Sequence, residues 1–204
     1  MYQHDVFISY KIGKIYGRWV YEVFFDFFKE YLDQELGRDS DIFIDKQSIS
    51  DGEAWPERIK HSLAKSRCLV ALLSPLYFSS LWCKKEMSVM LFREKHLGYR
   101  TLTNPNGLIA AATLHDGERF PETINRIQSR NWQNFAIVGK GFENTRRYIE
   151  FQDQLKEFAT NVAGIITNAP QWEDRWLSSE CLDVPIEKYS LTLSETIIQQ
   201  PFLR

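Results

Sequence analysis

The stretch SPLYFSSLWCKKEM, residues 74–87, holds the residue pair best suited to chemistry. Trp82 and Glu86 are four residues apart, so on a helix they share one face and can point into the same crevice. A carboxylate there can stabilise positive charge on a reacting group, and an indole can stack on a ring. The pair is equally typical of an ordinary amphipathic helix, with a solvated glutamate near its start and a packed tryptophan.

Three further candidate residues stand where apolar runs end. Tyr10 closes the run DVFISY and Lys11 follows it, so Lys11 either contacts a ligand at the strand end or faces water. As a lysine it offers a point charge and not the two-pronged contact of an arginine. Asp45 closes the run DIFID, and its carboxylate either binds a ligand or braces the loop that follows.

Strands and helices are predicted to alternate along the chain. The pattern predicts strands at 5–10, 41–45, 67–74 and 106–114, with a fifth near 132–135, and helices at 18–36, 56–66, from the 74–87 stretch to about 98, and 146–163. Continuously apolar strands are covered on both faces. We therefore predict an α/β fold of the flavodoxin-like, doubly wound type, with a five-stranded parallel sheet in the order 2-1-3-4-5.

This strand order predicts where the candidate residues meet. The first and third strands flank the point at which the order reverses, and ligands bind beyond their carboxyl ends. Tyr10 and Lys11 end the first strand, and the helix with Trp82 and Glu86 follows the third. We expect these residues to line one crevice.

The composition argues against several other functions. The 204-residue chain has a net charge of −2 and 44% hydrophobic residues, which fits a soluble domain and gives no case for nucleic acid or a membrane as partner. Neither a P-loop nor a GxGxxG motif is present, and histidines and cysteines lack metal-ligand spacing, so we expect no metal and no cofactor. Without a signal-peptide pattern or a membrane-length apolar run, a cytoplasmic protein is expected.

Three ordered blocks of the sequence resemble the Toll/interleukin-1 receptor (TIR) domain family. They are HDVFISY at the first strand, IFIDKQSISDGEAW around the second, and LLSPLYFSSLWCKKE at the third strand and the helix after it. The resemblance covers residues 4–98 closely and extends to about 165 by architecture. It implies a TIR domain at 1–166 and leaves 167–204 as a C-terminal extension of unknown role.

The blocks look most like those of bacterial TIR domains that cleave NAD+ at the nicotinamide–ribose bond. The resemblance implies that Glu86 is the catalytic residue and that the substrate is bound by Trp82, Tyr10, Lys11 and Asp45. In this binding Lys11 contacts a phosphate and Asp45 a ribose hydroxyl. The resemblance also implies a loop for gating or self-association, which contains Gly52 and Trp55. One carboxylate suffices because nicotinamide leaves as a neutral molecule and needs no general acid. NAD+ is then a substrate, giving nicotinamide and ADP-ribose or a cyclic or modified ADP-ribose signal, in bacterial antiphage immune signalling.

Two other hypotheses remain open. Many TIR domains are non-catalytic adaptors or virulence effectors that act by TIR–TIR contacts, but such proteins have no need of Glu86. A response-regulator-like receiver shares the sheet order, yet here the first strand leads into SYKIG and not into an acidic metal-binding cluster. We also expect self-association through TIR–TIR contacts and a separately encoded effector that responds to the product.

Overall fold

The computed structural model describes residues 1–13, 15–45, 56–139 and 141–193, and strands and helices alternate along them. The strands are β1 (His4–Tyr10), β2 (Ile42–Ile44), β3 (Ser66–Leu73), β4 (Ile109–Thr113) and β5 (Ser129–Asn131). The helices are α1 (Tyr16–Trp19), α2 (Phe25–Leu36), α3 (Glu57–Ala64), α4 (Pro75–Ser79), α5 (Leu81–His96), α6 (Glu122–Asn125), α7 (Arg146–Thr167) and α8 (Ser179–Leu182). A π-helical turn, Val20–Phe24, joins α1 to α2, and short 3₁₀ turns lie at Gly117–Arg119, Phe142–Asn144, Asp174–Leu177 and Ile186–Tyr189.

The five strands form one parallel sheet in the order β2-β1-β3-β4-β5, which confirms the predicted topology. β1 is central to the site because it pairs with β2 over Val6–Ile8 and with β3 from His4 to Tyr10. The carboxyl ends of β1 and β3 therefore lie side by side where the order reverses. A ligand crevice is expected at this position in such sheets.

Side chains alternate across the sheet and build a separate core on each face. Phe7 of β1 and Leu69 of β3 pack with the layer of α3, α4 and α5. Ile8 and Val70, one residue further along each strand, pack with the layer of α1, α2 and α7. The alternation determines which helical layer each residue at the end of β1 can reach.

Two predicted elements are placed differently. The helix predicted from the 74–87 stretch onward is two helices, because Ser80 between α4 and α5 is extended, with φ −82° and ψ 120°. The fifth strand is Ser129–Asn131 and not the segment near 132–135. Trp132 and Phe135 are buried in the turn after the strand, where the Phe135 N–H donates to the Trp132 carbonyl. The apolar pattern thus indicated the turn and missed the polar edge strand.

The residues that follow α7 pack against α3 and α5. The indole N–H of Trp172 donates to the Ala64 carbonyl, and Trp176 and Cys181 are fully buried. The guanidinium of buried Arg93 in α5 lies 5.1 Å from the centre of the Trp176 ring. The described part of the extension therefore shares the core of the α3–α5 layer, while the division at residue 166 and the role of the extension stay predictions.

None of the helices within the described ranges has the length and apolar character needed to cross a membrane.

Candidate active site

A small cavity lies at the carboxyl ends of β1 and β2, against the first turns of α5. Its volume is about 70 Å³. It brings together the five residues that the sequence predicted for catalysis and substrate binding: Tyr10, Lys11, Asp45, Trp82 and Glu86. Gly52 and Trp55, predicted for gating or self-association, lie outside the described residues.

Glu86 is buried on the side of α5 that faces the sheet, with 8% of its surface exposed. Its Oε2 lies 2.5 Å from the Ser9 hydroxyl, which donates to it. Burial raises the pKa of Glu86 to about 8, while the Ser9 hydrogen bond lowers it and the nearby Asp45 charge raises it. A buried carboxyl group with a hydroxyl partner and no cation is rare in a stable core, and is the kind of group active sites contain.

Ser9 reaches Glu86 because of its position in β1. Side chains alternate along the strand, so Ser9 points with Phe7 toward α5. The hydroxyl of fully buried Tyr77, in α4, lies 2.8 Å from Ser9 Oγ. Burial also raises the pKa of Tyr77 well above its ordinary value, so its hydroxyl stays protonated. The sequence analysis did not single out Ser9 or Tyr77; the strand alternation alone would have placed Ser9 on the α5 side.

Trp82 forms a wall of the cavity one helical turn before Glu86. Its side chain is buried, and the Lys85 ammonium lies 4.8 Å from the centre of an indole ring. The predicted helix face shared by Trp82 and Glu86 is present, since both line the cavity. The indole is thus placed beside the carboxyl group, where a planar ring can stack on it.

Tyr10 and Lys11 occupy the rim formed by the end of β1. The Tyr10 hydroxyl lies 2.9 Å from the Tyr21 hydroxyl and donates to the Asp45 carbonyl at 3.1 Å. Tyr10 also borders an open groove of about 550 Å³, which runs from the cavity toward Arg18. Lys11 is half-buried and lines the cavity. Tyr10 therefore borders both the cavity and the groove, whereas Lys11 borders the cavity.

Asp45 lies directly after β2 and pairs with a cation. Its Oδ1 accepts a hydrogen bond from Arg58, near the start of α3, at 2.7 Å. Its carbonyl meanwhile accepts the bond from Tyr10. The ion pair and the carbonyl bond connect the end of β2 to α3 and to β1, which is the bracing role weighed for Asp45 alongside ribose binding.

The other reactive side chain of the cavity, Cys83, is unsuited to nucleophilic chemistry. The thiol is buried, and burial together with the Glu86 charge raises the pKa of Cys83 far above its ordinary value. The thiolate, which is the nucleophilic form, is therefore suppressed. Within the described ranges no cluster of three or more histidine, cysteine, aspartate or glutamate side chains is placed to hold a metal ion. The predicted absence of metal and cofactor stays a prediction.

A second, larger groove of about 570 Å³ lies along β4, β5 and the end of α7. Its charged side chains are already paired, Arg100 with Glu94 and Arg130 with Glu157. The backbone edge of β4 is also satisfied there, because the Arg100 guanidinium donates to the Ile109 carbonyl. This groove is therefore larger than the cavity at Glu86, but its charged side chains are neutralised by partners and are less suited to chemistry.

The parallel sheet in this order, with helices on both faces, makes the chain an α/β domain of the flavodoxin-like type. The sequence matches the model of the TIR domain family over residues 6–162, and the chain therefore belongs to that family. No curated protein matches the chain significantly.

Among solved structures, the chain is similar to the TIR domains of the activated Roq1 resistosome directly recognising the pathogen effector XopQ. The identity is 17%, the match covers 79% of this chain and 84% of that one, and the TM-score is 0.35. A likeness at this level carries no argument about function. The family match confirms the resemblance drawn from the three sequence blocks.

Proposed function

We propose that this TIR domain cleaves NAD+ between nicotinamide and ribose, with Glu86 as the catalytic residue. The observation that carries the proposal is the environment of Glu86: a buried carboxyl group, held by a hydroxyl and facing a cavity beside an indole. Trp82 stacks on the nicotinamide or ribose, and Lys11 and Tyr10 border the nucleotide at the rim. Asp45 braces the end of β2 and contacts the substrate only through its carboxylate edge.

The charge of the substrate explains how Glu86 becomes active. With a pKa of about 8, the carboxyl group is mostly protonated at neutral pH in the free protein. The nicotinamide ring of NAD+ is positively charged, and an opposite charge within about 4–6 Å lowers the pKa of a carboxyl group. Substrate binding therefore ionises Glu86. The carboxylate then stabilises the positive charge that develops on the ribose as the bond breaks.

The reaction balances without a cofactor. The bond between C1′ of the ribose and the nicotinamide nitrogen breaks, and its electron pair neutralises the pyridinium. Water then forms a new C1′–O bond and releases a proton, which gives ADP-ribose. Attack by a nitrogen or hydroxyl of the same molecule gives a cyclic product instead. That this product signals to a separately encoded effector in bacterial antiphage defence is supported by the resemblance of the sequence blocks alone.

The cavity is smaller than the proposed substrate. Its volume of about 70 Å³ is well below the roughly 300–1,000 Å³ of typical ligand pockets. The adjoining groove of about 550 Å³ gives room for the ADP-ribose part, but the nicotinamide needs a wider cavity at Trp82. We therefore propose that the cavity opens when TIR domains self-associate, and that activity rises with protein concentration.

The test incubates NAD+ with the wild type, Glu86→Gln and Glu150→Gln over a wide range of protein concentrations, and mass spectrometry identifies the products. Glu150 is a matched control because its half-exposed carboxylate pairs with Arg146 on α7 and does not line the cavity. We expect wild type and Glu150→Gln to release nicotinamide, and Glu86→Gln to be slower by about 10²–10³-fold. Equal rates in wild type and Glu86→Gln would refute the assignment of Glu86.

The closed cavity also favours a second candidate function, a non-catalytic adaptor that acts by TIR–TIR contacts. The two functions predict different behaviour of assembled protein. If the wild type self-associates but releases no nicotinamide at any concentration, the adaptor function is supported and NAD+ cleavage is rejected.

A further inference from the structure

Two buried hydroxyl groups form a chain that ends on Glu86. Ser9 Oγ lies 2.5 Å from Glu86 Oε2 and 2.8 Å from the Tyr77 hydroxyl. A serine hydroxyl has one hydrogen, and when Glu86 is ionised this hydrogen is donated to Glu86, so Tyr77 is then the donor to Ser9. Ser9 and Tyr77 are 1% and 0% exposed, so water does not replace either bond. The chain therefore runs in one direction, from Tyr77 through Ser9 to the carboxylate.

The local folding of α4 brings Tyr77 into this chain. Pro75 begins α4, and extended Ser80 ends it after a single turn. The tyrosine ring packs edge-on against Phe78, with 5.3 Å between ring centres, which fixes the hydroxyl over β1. On a continuous helix through Ser80, Tyr77 and Glu86 would be nine residues apart and would lie on opposite faces. The break lets both converge on Ser9 from different elements.

The hydroxyl chain occupies one oxygen of Glu86 and leaves the other available. Oε2 accepts the Ser9 hydrogen bond, whereas Oε1 accepts none from the described residues. The titratable or charged groups that face the carboxyl group come from four elements: Lys11 and Tyr10 at the end of β1, Asp45 after β2, Tyr77 in α4 and Cys83 in α5. In this described set Lys11 is the one cation, and it forms no ion pair with Glu86.

We propose that Ser9 and Tyr77 are positioning residues that hold Glu86 through neutral hydroxyls and leave its negative charge and its Oε1 for a cationic substrate. A cation in the place of Ser9 would fix the side chain equally well, but it would neutralise the charge that the reaction needs. A hydroxyl donor stabilises the ionised form more weakly. The inference rests on the proposed NAD+ cleavage and assigns two residues that act through its catalytic group.

The first test measures Glu86 directly and needs no enzymatic activity. Glutamate labelled with ¹³C at the side-chain carboxyl is followed by NMR, and the Glu86 signal is the one lost in Glu86→Gln. Ser9→Ala should raise the titration midpoint of Glu86 by about one pH unit, because a donor to the charged form is lost. Tyr77→Phe should raise it by less, since Ser9 stays but loses its own donor.

Matched control variants remove buried or ordered hydroxyls that do not touch Glu86. Ser88→Ala deletes a buried serine hydroxyl of α5 that has no hydrogen-bond partner among the described residues. Tyr31→Phe deletes a tyrosine hydroxyl that donates to Gln152 at 2.9 Å. Neither change should move the Glu86 midpoint. Ser9→Thr keeps a hydroxyl at the same position and should restore the wild-type midpoint.

The second test follows NAD+ cleavage against pH. The pH dependence of kcat/KM reports the ionisation of the free enzyme. We expect Ser9→Ala to lower kcat/KM about tenfold at neutral pH and to recover most of the loss at alkaline pH, where the carboxyl group ionises without help. A loss that is the same at all pH values would indicate a merely structural role and would overturn the proposal.

The two tests separate failure of this inference from failure of the proposed function. A Glu86 midpoint that stays at the wild-type value in Ser9→Ala refutes the hydroxyl chain, whether or not NAD+ is cleaved. A midpoint that rises in Ser9→Ala but not in the controls supports it. If the midpoint rises while wild type releases no nicotinamide, the positioning of Glu86 stands and NAD+ cleavage is rejected.

Discussion

Helix α5 contains two buried glutamates, Glu86 and Glu94, and their hydrogen-bond partners differ. Glu86 and Glu94 are 8% and 2% exposed. Glu94 accepts bonds from the Arg100 guanidinium at 2.6 and 3.0 Å and from the backbone N–H groups of Leu108 and Ile109. From the residues that the structure describes, Glu86 accepts one bond, from the Ser9 hydroxyl. Near the C-terminus of α5 the charge of Glu94 is thus neutralised by a cation. Near the N-terminus Glu86 has no such cation in the described part of the chain and keeps an oxygen that can accept further hydrogen bonds.

The difference separates a structural carboxylate from a chemical one. Glu94 joins α5 to the start of β4, where β5 is too short to pair, so its bonds close the edge of the sheet. Arg93 beside it packs against Tyr2 and Trp176, which adds contacts to the N-terminus and to the extension. The second half of α5 therefore anchors the helix. A rigidly anchored helix can hold Glu86 in a cavity at the cost of burying an acid without a cation.

The largest expected effect is the loss of stability on neutralising Glu94. Glu94→Gln leaves the half-buried Arg100 without its counter-charge, so the free energy of unfolding should fall by about 3–5 kcal/mol. Urea denaturation at neutral pH measures the change. Glu86→Gln is the matched variant on the same helix, and it should not lose stability. Equal stability of Glu94→Gln and wild type would show that the Arg100 pair adds nothing.

The next effect is a gain in stability on replacing Glu86, in contrast to the loss expected for Glu94, and this gain depends on pH. The carboxyl group titrates near 4.5 in the unfolded chain and has a pKa of about 8 in the folded one. Between these values the folded protein binds a proton that the unfolded chain does not, so stability falls as pH rises through this range. Glutamine removes the penalty. Glu86→Gln should therefore be more stable than wild type by about 2–4 kcal/mol near pH 9.

The control for this measurement is the same pair of proteins in acid. Near pH 3, Glu86 is protonated in both the folded and the unfolded chain, so thermal melting should give Glu86→Gln and wild type similar midpoints. If the stabilisation persisted unchanged at low pH, it would come from packing and not from the buried charge.

The sheet could be predicted from the sequence because its inner strands are apolar at nearly every position. β3 and β4 are nearly continuous apolar runs, β1 is apolar over Val6–Ile8, and the alternation of these strands with helical segments leads to the parallel order. β5 was not predicted because it is a polar edge strand with the sequence SRN. It is joined to β4 by a few backbone hydrogen bonds and by the hydrogen bond between the Thr113 and Ser129 hydroxyls. The division of the predicted long helix at Ser80 was also missed, because no glycine in this segment signals the end of a helix.

The sequence predicted which residues come together at the site. It did not predict the hydrogen bonds between their side chains. Strand order alone brings Tyr10, Lys11 and Glu86 together, since the ends of β1 and β3 are neighbours. Ser9 and Tyr77 were missed for a physical reason. A serine inside an apolar strand and a tyrosine in a short helix have no spacing that distinguishes them from packing residues, and their bonds depend on tertiary geometry.

The smallest expected effect concerns Asp45. Its negative charge lies near Glu86, whereas the charged neighbour of Glu94 is the cation Arg100. The negative charge of Asp45 raises the pKa of Glu86, after the larger contribution of burial. Asp45→Asn should therefore lower the titration midpoint of Glu86 by a few tenths of a pH unit, since the two charges interact across part of the cavity. Stability should fall by only about 0.5 kcal/mol through the pair with half-exposed Arg58.

Carboxyl NMR and the pH dependence of kcat/KM both measure the effect of Asp45→Asn. Arg58→Gln is the matched control, because it breaks the same ion pair but keeps the Asp45 charge. It should leave the Glu86 midpoint where it is or raise it slightly, as the Asp45 charge is then less screened. If Asp45→Asn and Arg58→Gln moved the midpoint in the same direction, Asp45 would act on Glu86 through the position of β2 and not through its charge.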